Sequence, residues 1–175
     1  GIRFTFHSSY CEDTVLTIPY VAPYQMMNAA LAFLTMLVLQ PVHGISLKDL
    51  ILGIETTSWP GRMETVRPGV ILDGAHNADG VARFVETAEH FSRQCPVTLL
   101  FSAVADKDYE KMIESICEKI HPGYVVTTQV GGHREVRAED LAALFRQHGC
   151  SQVESESDVG KAYTLAESHK GDGLL

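Results

Sequence analysis

The fold of this chain is decided by one stretch, Val70-Ile71-Leu72-Asp73-Gly74-Ala75-His76-Asn77. Its three apolar residues are typical of a short buried strand, and a helical pattern follows from about Asp79 to Gln94. Gly74 allows the backbone to turn tightly between the two elements. The stretch therefore predicts a strand that passes through a tight turn directly into a helix, which is the repeating unit of an α/β sheet.

From this stretch onward, short apolar strands alternate with helical patterns. Such alternation predicts an α/β fold, with a Rossmann-like, mainly parallel sheet and helices on both faces. The later predicted strands are Val97–Phe101, Tyr124–Thr128, a weak one near Val153 and Leu174–Leu175, and the later helices are predicted to end near Ile120, His148 and His169.

The N-terminal part of the chain follows a different pattern. A hairpin with two helices makes a small core on its own, so we interpret residues 1–57 as the C-terminal remnant of a preceding domain. Residues 58–175 are then the α/β domain, and Pro60 with Gly61 marks the linker. The chain begins at Gly1 without Met, so we expect a fragment of a longer protein. The predicted N-terminal elements are strands Ile2–Phe6 and Val15–Ile18 and helices Met26–Leu39 and Leu47–Ile54.

The composition argues against several classes of partner. The chain has 175 residues, a formal net charge of −8 and no run of Lys or Arg, so neither nucleic acid nor a membrane is an expected partner. The longest apolar stretch, Ala29–Leu39, is too short to span a bilayer. The four cysteines are scattered without a CxxC pair, which predicts reduced thiols in a cytoplasmic protein.

Several catalytic motifs are absent from the sequence. Without GxGxxG, a dinucleotide cofactor is not supported, and without GxxxxGK[ST], no part of this chain cradles a triphosphate by itself. There is also no GxSxG elbow and no cluster with metal-ligand spacing.

The turn after the first parallel strand is the strongest candidate site. In open α/β sheets, ligands bind in the crevice beyond the carboxyl ends of the strands, and a helix N-terminus attracts anions. Asp73 can accept hydrogen bonds from ribose hydroxyls, while His76 and Asn77 can donate to a phosphate or a base edge. The alternative is that Asp73 or Asn77 only caps the helix and that His76 lies on the surface. The pattern alone does not decide between the two.

Two candidates precede this turn. Arg62 follows a Pro-Gly turn, and its planar, permanently charged side chain suits a phosphate, although a solvated linker arginine would have the same pattern. Asn28 lies at the start of the apolar helix, where its amide can read the edge of adenine or serve as a structural hydrogen-bonding group.

A basic cluster follows the strand at Tyr124–Thr128. It consists of His133, Arg134 and Arg137, which suit an anionic substrate or a solvated loop. After the preceding strand, Asp106-Lys107-Asp108 is best explained as the cap of a helix.

Taken in order, these motifs resemble one family. They are Asn28-Ala29-Ala30, Pro60-Gly61-Arg62, Asp73-Gly74-Ala75-His76-Asn77, Ala105-Asp106-Lys107-Asp108 and Arg137-Ala138. Together they resemble folylpolyglutamate synthase of the Mur ligase superfamily, with Ala78 where that family often has Pro. The resemblance covers nearly the whole chain, from the tail of the central domain through the C-terminal domain.

The resemblance implies an ATP-dependent, ADP-forming ligase that adds L-glutamate to a folate through an acyl phosphate. It places Asn28 at adenine, Asp73 at the ribose, His76 near the nucleotide or the acyl phosphate, and Arg62 at ATP across an interdomain cleft. His76 and Arg62 are then the catalytic candidates, and Asn77 and Arg137 are weaker substrate-side candidates. This interpretation requires Arg62 and the loop that bears Asp73 to meet at one nucleotide.

The same resemblance implies that some parts of the enzyme lie outside this chain. The P-loop and the Mg²⁺ ligands are expected upstream of Gly1, so the chain alone is predicted to be inactive and to bind ATP weakly. We expect a cytoplasmic monomer with folate and L-glutamate as small-molecule substrates, and dihydrofolate synthase activity is a second function that the resemblance allows.

Three alternatives remain open at this stage. One is another Mur-superfamily ligase, of the cell-wall muropeptide or cyanophycin type. Another is a non-catalytic α/β nucleotide-binding module. A receiver domain is a third, although the acidic cluster that would hold magnesium is missing from its first strand.

Overall fold

The computed structural model describes residues 1–175, which form two compact units, Gly1–Glu64 and Thr65–Leu175. The boundary predicted from sequence, after residue 57, lies a few residues earlier and stays a prediction. The elements in chain order are β1 (Ile2–Phe6), β2 (Thr14–Ile18), α1 (Gln25–His43), α2 (Leu47–Thr56), β3 (Glu64–Arg67), β4 (Val70–Leu72), α3 (Ala78–Ser92), β5 (Thr98–Phe101), α4 (Tyr109–Lys119), β6 (Tyr124–Thr127), α5 (Ala138–Gln147), β7 (Val153–Ser155) and α6 (Val159–Lys170).

The first unit has a small core of its own. β1 and β2 form an antiparallel pair in which Ile2 lies opposite Ile18 and Phe6 opposite Thr14. The ring of Phe6 meets the fully buried ring of Phe33 edge-on, at 5.2 Å between centroids. The buried apolar residues of this cluster are Phe6, Leu16, Phe33, Leu37 and Leu50.

Helix α1 is longer than the sequence predicts. It continues past Leu39 to His43 and ends where Gly44 takes a left-handed conformation and donates its N–H to the carbonyl oxygen of Gln40. The prediction of a shorter helix was wrong, because Pro41 near its end does not stop it. The apolar side chains that α1 exposes are Met27, Leu31, Val38, Leu39 and Val42.

At its full length, helix α1 meets the length and composition criteria for a membrane span. By length and composition alone, α1 would be able to cross a bilayer, whereas the shorter apolar stretch would not. Core helices of soluble proteins and signal sequences satisfy the same criterion.

The second unit is built on parallel strands. β5, β6 and β7 form a parallel sheet in that order, with Phe101 opposite Thr127 and Val125 opposite Val153. Leu174 and Leu175 continue the sheet from β5 towards β4: Leu174 bonds to the backbones of Pro96 and Thr98, and Leu175 to those of Gly69 and Ile71. In a parallel pair, a residue of one strand bonds to two residues of the neighbouring strand that lie two positions apart, and both leucines show this pattern.

Helices cover both faces of this sheet, as predicted. Val125 and Val126 are adjacent and fully buried, and they point to opposite faces. Val125 belongs to a cluster with α3, α4 and α5, whereas Val126 packs against Ala162 and Ala166 of α6. The α/β prediction with a mainly parallel sheet is therefore confirmed.

The segment between Arg62 and Asp73 contains a strand that the sequence analysis missed. β3 pairs with β4, and the two are joined by a turn at Pro68 and Gly69, where Gly69 has a φ of 72°. Every residue of β3 is exposed, so no buried apolar pattern reveals it in the sequence.

Candidate functional site

The candidate site of the second unit lies at one edge of its sheet. Parallel strands end at the same edge, so the loops that follow β4, β5 and β6 share the crevice where α/β proteins bind ligands. The loop after β4 carries Asp73, His76 and Asn77, and the loop after β6 carries Arg134 and ends at Arg137. The sequence prediction that these residues follow parallel strands is confirmed by the strand positions.

The loop after β4 is shaped by its own side chains. A carboxylate oxygen of Asp73 accepts the backbone N–H of Ala75 at 2.8 Å, which closes a local turn. The Nδ1 atom of His76 lies 2.9 Å from the carbonyl oxygen of Gly74. A carbonyl oxygen only accepts, so Nδ1 carries the hydrogen and Nε2 faces outward from the loop. His76 is exposed, so this ring nitrogen is accessible to a ligand.

Asn77 is the N-cap of α3. Its side-chain oxygen accepts the backbone N–H of Gly80 at 2.8 Å, and its backbone is extended, as N-cap residues usually are. The capping role that the sequence analysis offered as an alternative is therefore present. The nitrogen of the same amide is left to face solvent or a ligand.

The loops after β5 and β6 are tied to each other. The N–H of Ala105 donates to the carbonyl oxygen of Arg134 at 2.7 Å, and the Arg134 guanidinium lies 2.9 Å from the Asp106 carboxylate. Asp108 caps α4, as predicted, and accepts the N–H of Lys111. The hydrogen bond from the Lys111 side chain lowers the pKa of Asp108.

Arg137 already has a partner. It stands at the N-cap of α5, and its Nε and Nη2 atoms bind the two oxygens of Asp140 at 2.8 and 2.6 Å. This bidentate hydrogen bonding raises the pKa of Arg137 and lowers that of Asp140. An anionic substrate would therefore compete with Asp140 for the guanidinium.

Asn28 and Arg62 belong to the first unit. Asn28 is exposed on the first turn of α1 and donates from its amide nitrogen to the side-chain oxygen of the buried Gln25 at 2.9 Å. Arg62 is half-buried beside Gly61, whose N–H donates to the Glu64 carboxylate and whose φ is 70°. No carboxylate of the first unit forms an ion pair with Arg62.

Two residues at this edge were missed by the sequence analysis. Ser102 and Thr128 directly follow β5 and β6, at neighbouring positions of the parallel pair. Their hydroxyl oxygens are buried and have no hydrogen-bond partner, and Thr128 is only 3% exposed. Most buried hydroxyls are paired, so these two suggest a place for a ligand group or an ordered water. The sequence did contain a signal for them, because each is a hydroxyl residue that lies at, or directly after, the last residue of a predicted strand.

Comparison with known proteins agrees with this geometry. Residues 61–175 match the family described as Mur ligase, glutamate ligase domain. The chain belongs to this Mur ligase family. The residues that match the family are thus nearly those of the second unit, Thr65–Leu175.

Individual Mur ligase relatives are folate enzymes. The chain is 36% identical over 183 residues to the dihydrofolate synthase/folylpolyglutamate synthase of Bacillus subtilis (strain 168), which covers 100% of this chain and 40% of that relative. It is 30% identical over 130 residues to the folylpolyglutamate synthase of Lacticaseibacillus casei, covering 72% of this chain and 30% of the relative. The predicted resemblance to folylpolyglutamate synthases is confirmed.

A solved structure gives the same result for this Mur ligase chain. The folylpolyglutamate synthase of Mycobacterium tuberculosis complexed with ADP superposes with a TM-score of 0.74 at 26% identity, covering 90% of this chain and 35% of that one. The chain therefore spans less than half the length of each of these relatives.

Proposed function

We propose that this chain is the glutamate-ligase part of an ATP-dependent ligase that adds L-glutamate to a folate, forming ADP. The observation that carries the proposal is the Asp73–Asn77 turn, which follows a parallel strand and caps α3 in a chain whose relatives are named folylpolyglutamate synthases. Dihydrofolate synthase activity in the same enzyme is part of the proposal, because one relative carries both names.

The residues of the second unit fit a nucleotide. Asp73 is anchored by Ala75, and a carboxylate held in this way can accept hydrogen bonds from ribose hydroxyls. The outward Nε2 atom of His76 is suited to a phosphate or an acyl phosphate, to which it donates when the ring is protonated. The positive end of the helix dipole at α3 adds favourable charge for the same groups.

The first unit is proposed to supply the remaining nucleotide contacts. Arg62 offers a planar guanidinium to the phosphates, where it would stabilise charge that develops during phosphoryl transfer. Asn28 offers an amide to adenine, and opening its hydrogen bond with Gln25 would free both groups of that amide. Exclusion of water from the bound nucleotide in the complete enzyme would protect an acyl phosphate from hydrolysis.

The substrate side is proposed to involve the loops after β5 and β6. The unpartnered hydroxyls of Ser102 and Thr128 would be satisfied by polar groups of glutamate or by an ordered water. Arg137 and the outward amide nitrogen of Asn77 would bind carboxylates, with Arg137 released from Asp140.

The residues of this chain do not fit a magnesium site. Within residues 1–175 no group of three or more His, Cys, Asp or Glu side chains is placed to hold a metal ion. No residue of this chain is therefore proposed as a Mg²⁺ ligand, and we propose that the ligands come from the rest of the enzyme.

We also propose that residues 1–57 complete a central ATP-binding domain in a longer cytoplasmic enzyme. The exposed apolar residues of α1, such as Met27, Leu31 and Val42, suit packing against the body of that domain. Without GxxxxGK[ST] in its sequence, the 175-residue chain is expected to show no turnover and weak ATP binding. Measurable ADP formation by this chain with folate and glutamate would contradict that expectation.

The test uses the product of the complete reading frame that contains these residues. ADP formation should require both a folate and L-glutamate, and Arg62→Ala should lower kcat roughly 10²–10³-fold. Arg62→Lys should restore little, because an ammonium lacks the planar pair of donors. Arg67→Ala is the matched control, since Arg67 is exposed and pairs loosely with Glu167 at 3.5 Å.

The same assay distinguishes the alternatives. A cell-wall or cyanophycin-type ligase would form ADP with a UDP-linked muropeptide or a peptide acceptor and not with folate. A non-catalytic module would bind the nucleotide without forming ADP under any of these conditions. Either result would overturn the folate assignment.

A further inference from the structure

Two cysteines that are distant in sequence meet inside the second unit. The Sγ atoms of Cys117 and Cys150 lie 3.4 Å apart, although 33 residues separate them along the chain. Both are free thiols. A disulfide has an S–S length of about 2.0 Å, so a shift of little more than an ångström would join them.

The surroundings hold the pair in place. Cys117 lies on the last turn of α4 and is 6% exposed, and Cys150 follows the turn that ends α5. The backbone of Cys150 is fixed because its N–H donates to the carbonyl oxygen of Phe145 at 3.0 Å, and Phe145 is fully buried. Both cysteines pack in the cluster between the helices and the sheet.

The two thiols are not equivalent. Cys150 is half-buried, whereas Cys117 is buried. The hydrogen bond between them, together with burial, raises the pKa of Cys117, and the same bond lowers the pKa of Cys150. Cys150 is therefore the sulfur that is both more accessible and more readily ionised, and the thiolate is the form that reacts with peroxides.

We propose that Cys117 and Cys150 form a reversible disulfide when the protein meets hydrogen peroxide. The Cys150 thiolate attacks one peroxide oxygen, which gives a sulfenic acid and hydroxide. The Cys117 sulfur then attacks the sulfenic sulfur, and the S–O bond breaks as the S–S bond forms, releasing water. In total, two thiols lose two electrons and two protons, and one peroxide becomes two waters.

The bond would join two helices that both lead away from the candidate site. Asp108 is the N-cap of α4 and Arg137 the N-cap of α5, so the N-terminal ends of both helices adjoin the loops after β5 and β6. A disulfide between their far ends would restrict how these helices separate. The oxidised form should therefore unfold at a higher temperature than the reduced form.

The experiment treats the 175-residue chain with a small excess of hydrogen peroxide and maps it with trypsin without reductant. We expect one cross-linked pair of peptides, Met112–Lys119 and Gln147–Lys161, which separates again after treatment with a dithiol. The melting temperature should rise by roughly 5–10 °C on oxidation and return on reduction. The control is Cys11→Ala with Cys95→Ala, which should behave identically.

Single variants identify the order of attack. In Cys117→Ala, a sulfenic acid should accumulate at Cys150 and be captured by a 1,3-dicarbonyl probe. In Cys150→Ser, which changes a half-buried site and should fold, Cys117 should resist the same peroxide treatment. Over-oxidation of Cys150 to sulfinic acid while Cys117 stays reduced in the parent chain would overturn the proposal. Cross-links that involve Cys11 or Cys95 at equal yield would do so too.

Discussion

The ring of His76 is oriented by the carbonyl oxygen of Gly74, 2.9 Å from its Nδ1 atom. This contact lies within a single turn, so the loop after β4 sets the ring position without help from another element. Because Nδ1 must donate, the outward Nε2 atom is the one that remains for a ligand. In His76, Nδ1 therefore holds the ring in the loop, and Nε2 is the nitrogen that can bind a ligand.

This separation predicts different effects for two amide substitutions. In His76→Asn the amide nitrogen takes the place of Nδ1, so the loop should keep its bond while the outward nitrogen is lost. In His76→Gln the amide nitrogen takes the place of Nε2. In the complete enzyme, we expect His76→Asn to lower kcat roughly 10²–10³-fold and His76→Gln to recover part of that loss. Full activity of His76→Asn would show that the outward nitrogen of His76 takes no part in the reaction.

Asn77 gives a stability prediction that needs no assay of activity. Its side chain caps α3 through Gly80, so Asn77→Ala should lower the free energy of unfolding by about 1 kcal/mol. Asn77→Asp keeps the acceptor and adds a charge that suits a helix N-terminus, so it should stay within a few tenths of a kcal/mol. Urea unfolding of the three proteins checks this, and equal stability of Asn77→Ala and the parent would contradict it.

Much of the second unit could be predicted from the sequence because its strands are buried. Val125 and Val126 lie in a continuous apolar run, which is the signature of a strand covered on both faces. The turn after β4 was equally visible, since Gly74 and the polar residues around it, Asp73, His76 and Asn77, separate that strand from a helix. The capping residues Asn77 and Asp108 follow from the same local rules.

The remaining features depend on contacts that no local pattern contains. β3 is exposed along its whole length, so only its pairing with β4 makes it a strand. The end of α1 is set by Gly44 and not by Pro41, which lies within the last turn. Likewise, nothing in the sequence shows that Arg137 is held by Asp140, or that Cys117 meets Cys150.

The KM for glutamate distinguishes a substrate-binding role of Arg137 from a purely structural one. If it binds the glutamate substrate, Arg137→Ala should raise the KM for glutamate roughly 10-fold or more, because hydrogen bonds to charged groups contribute about 1.5–3 kcal/mol. Asp140→Asn removes the competing charge but keeps an acceptor, so it should leave that KM equal or lower. Equal KM increases in both variants would mean that Arg137 acts only through its pair with Asp140.

Tyr124 predicts how the stability of the second unit changes at alkaline pH. Its ring stacks on His169 with 3.8 Å between centroids, and its hydroxyl donates to the Glu154 carboxylate. Burial, reinforced by this bond and the negative charge of Glu154, raises the pKa of Tyr124 to about 12 from an ordinary value of 10.0. The neutral phenol is thus favoured in the folded chain, whereas in the unfolded chain the phenol ionises at lower pH.

Because the folded pKa is the higher one, Tyr124 stabilises the fold fully below pH 10 and loses this contribution as pH rises towards 12. The free energy of unfolding of the parent should therefore fall more steeply between about pH 10 and pH 12 than that of Tyr124→Phe. The variant keeps the ring that stacks on His169 and has no proton to lose. Glu154→Gln should give an intermediate slope, since it removes the charge but keeps an acceptor. Parallel curves for the parent and Tyr124→Phe would show that this phenol ionises alike in both states.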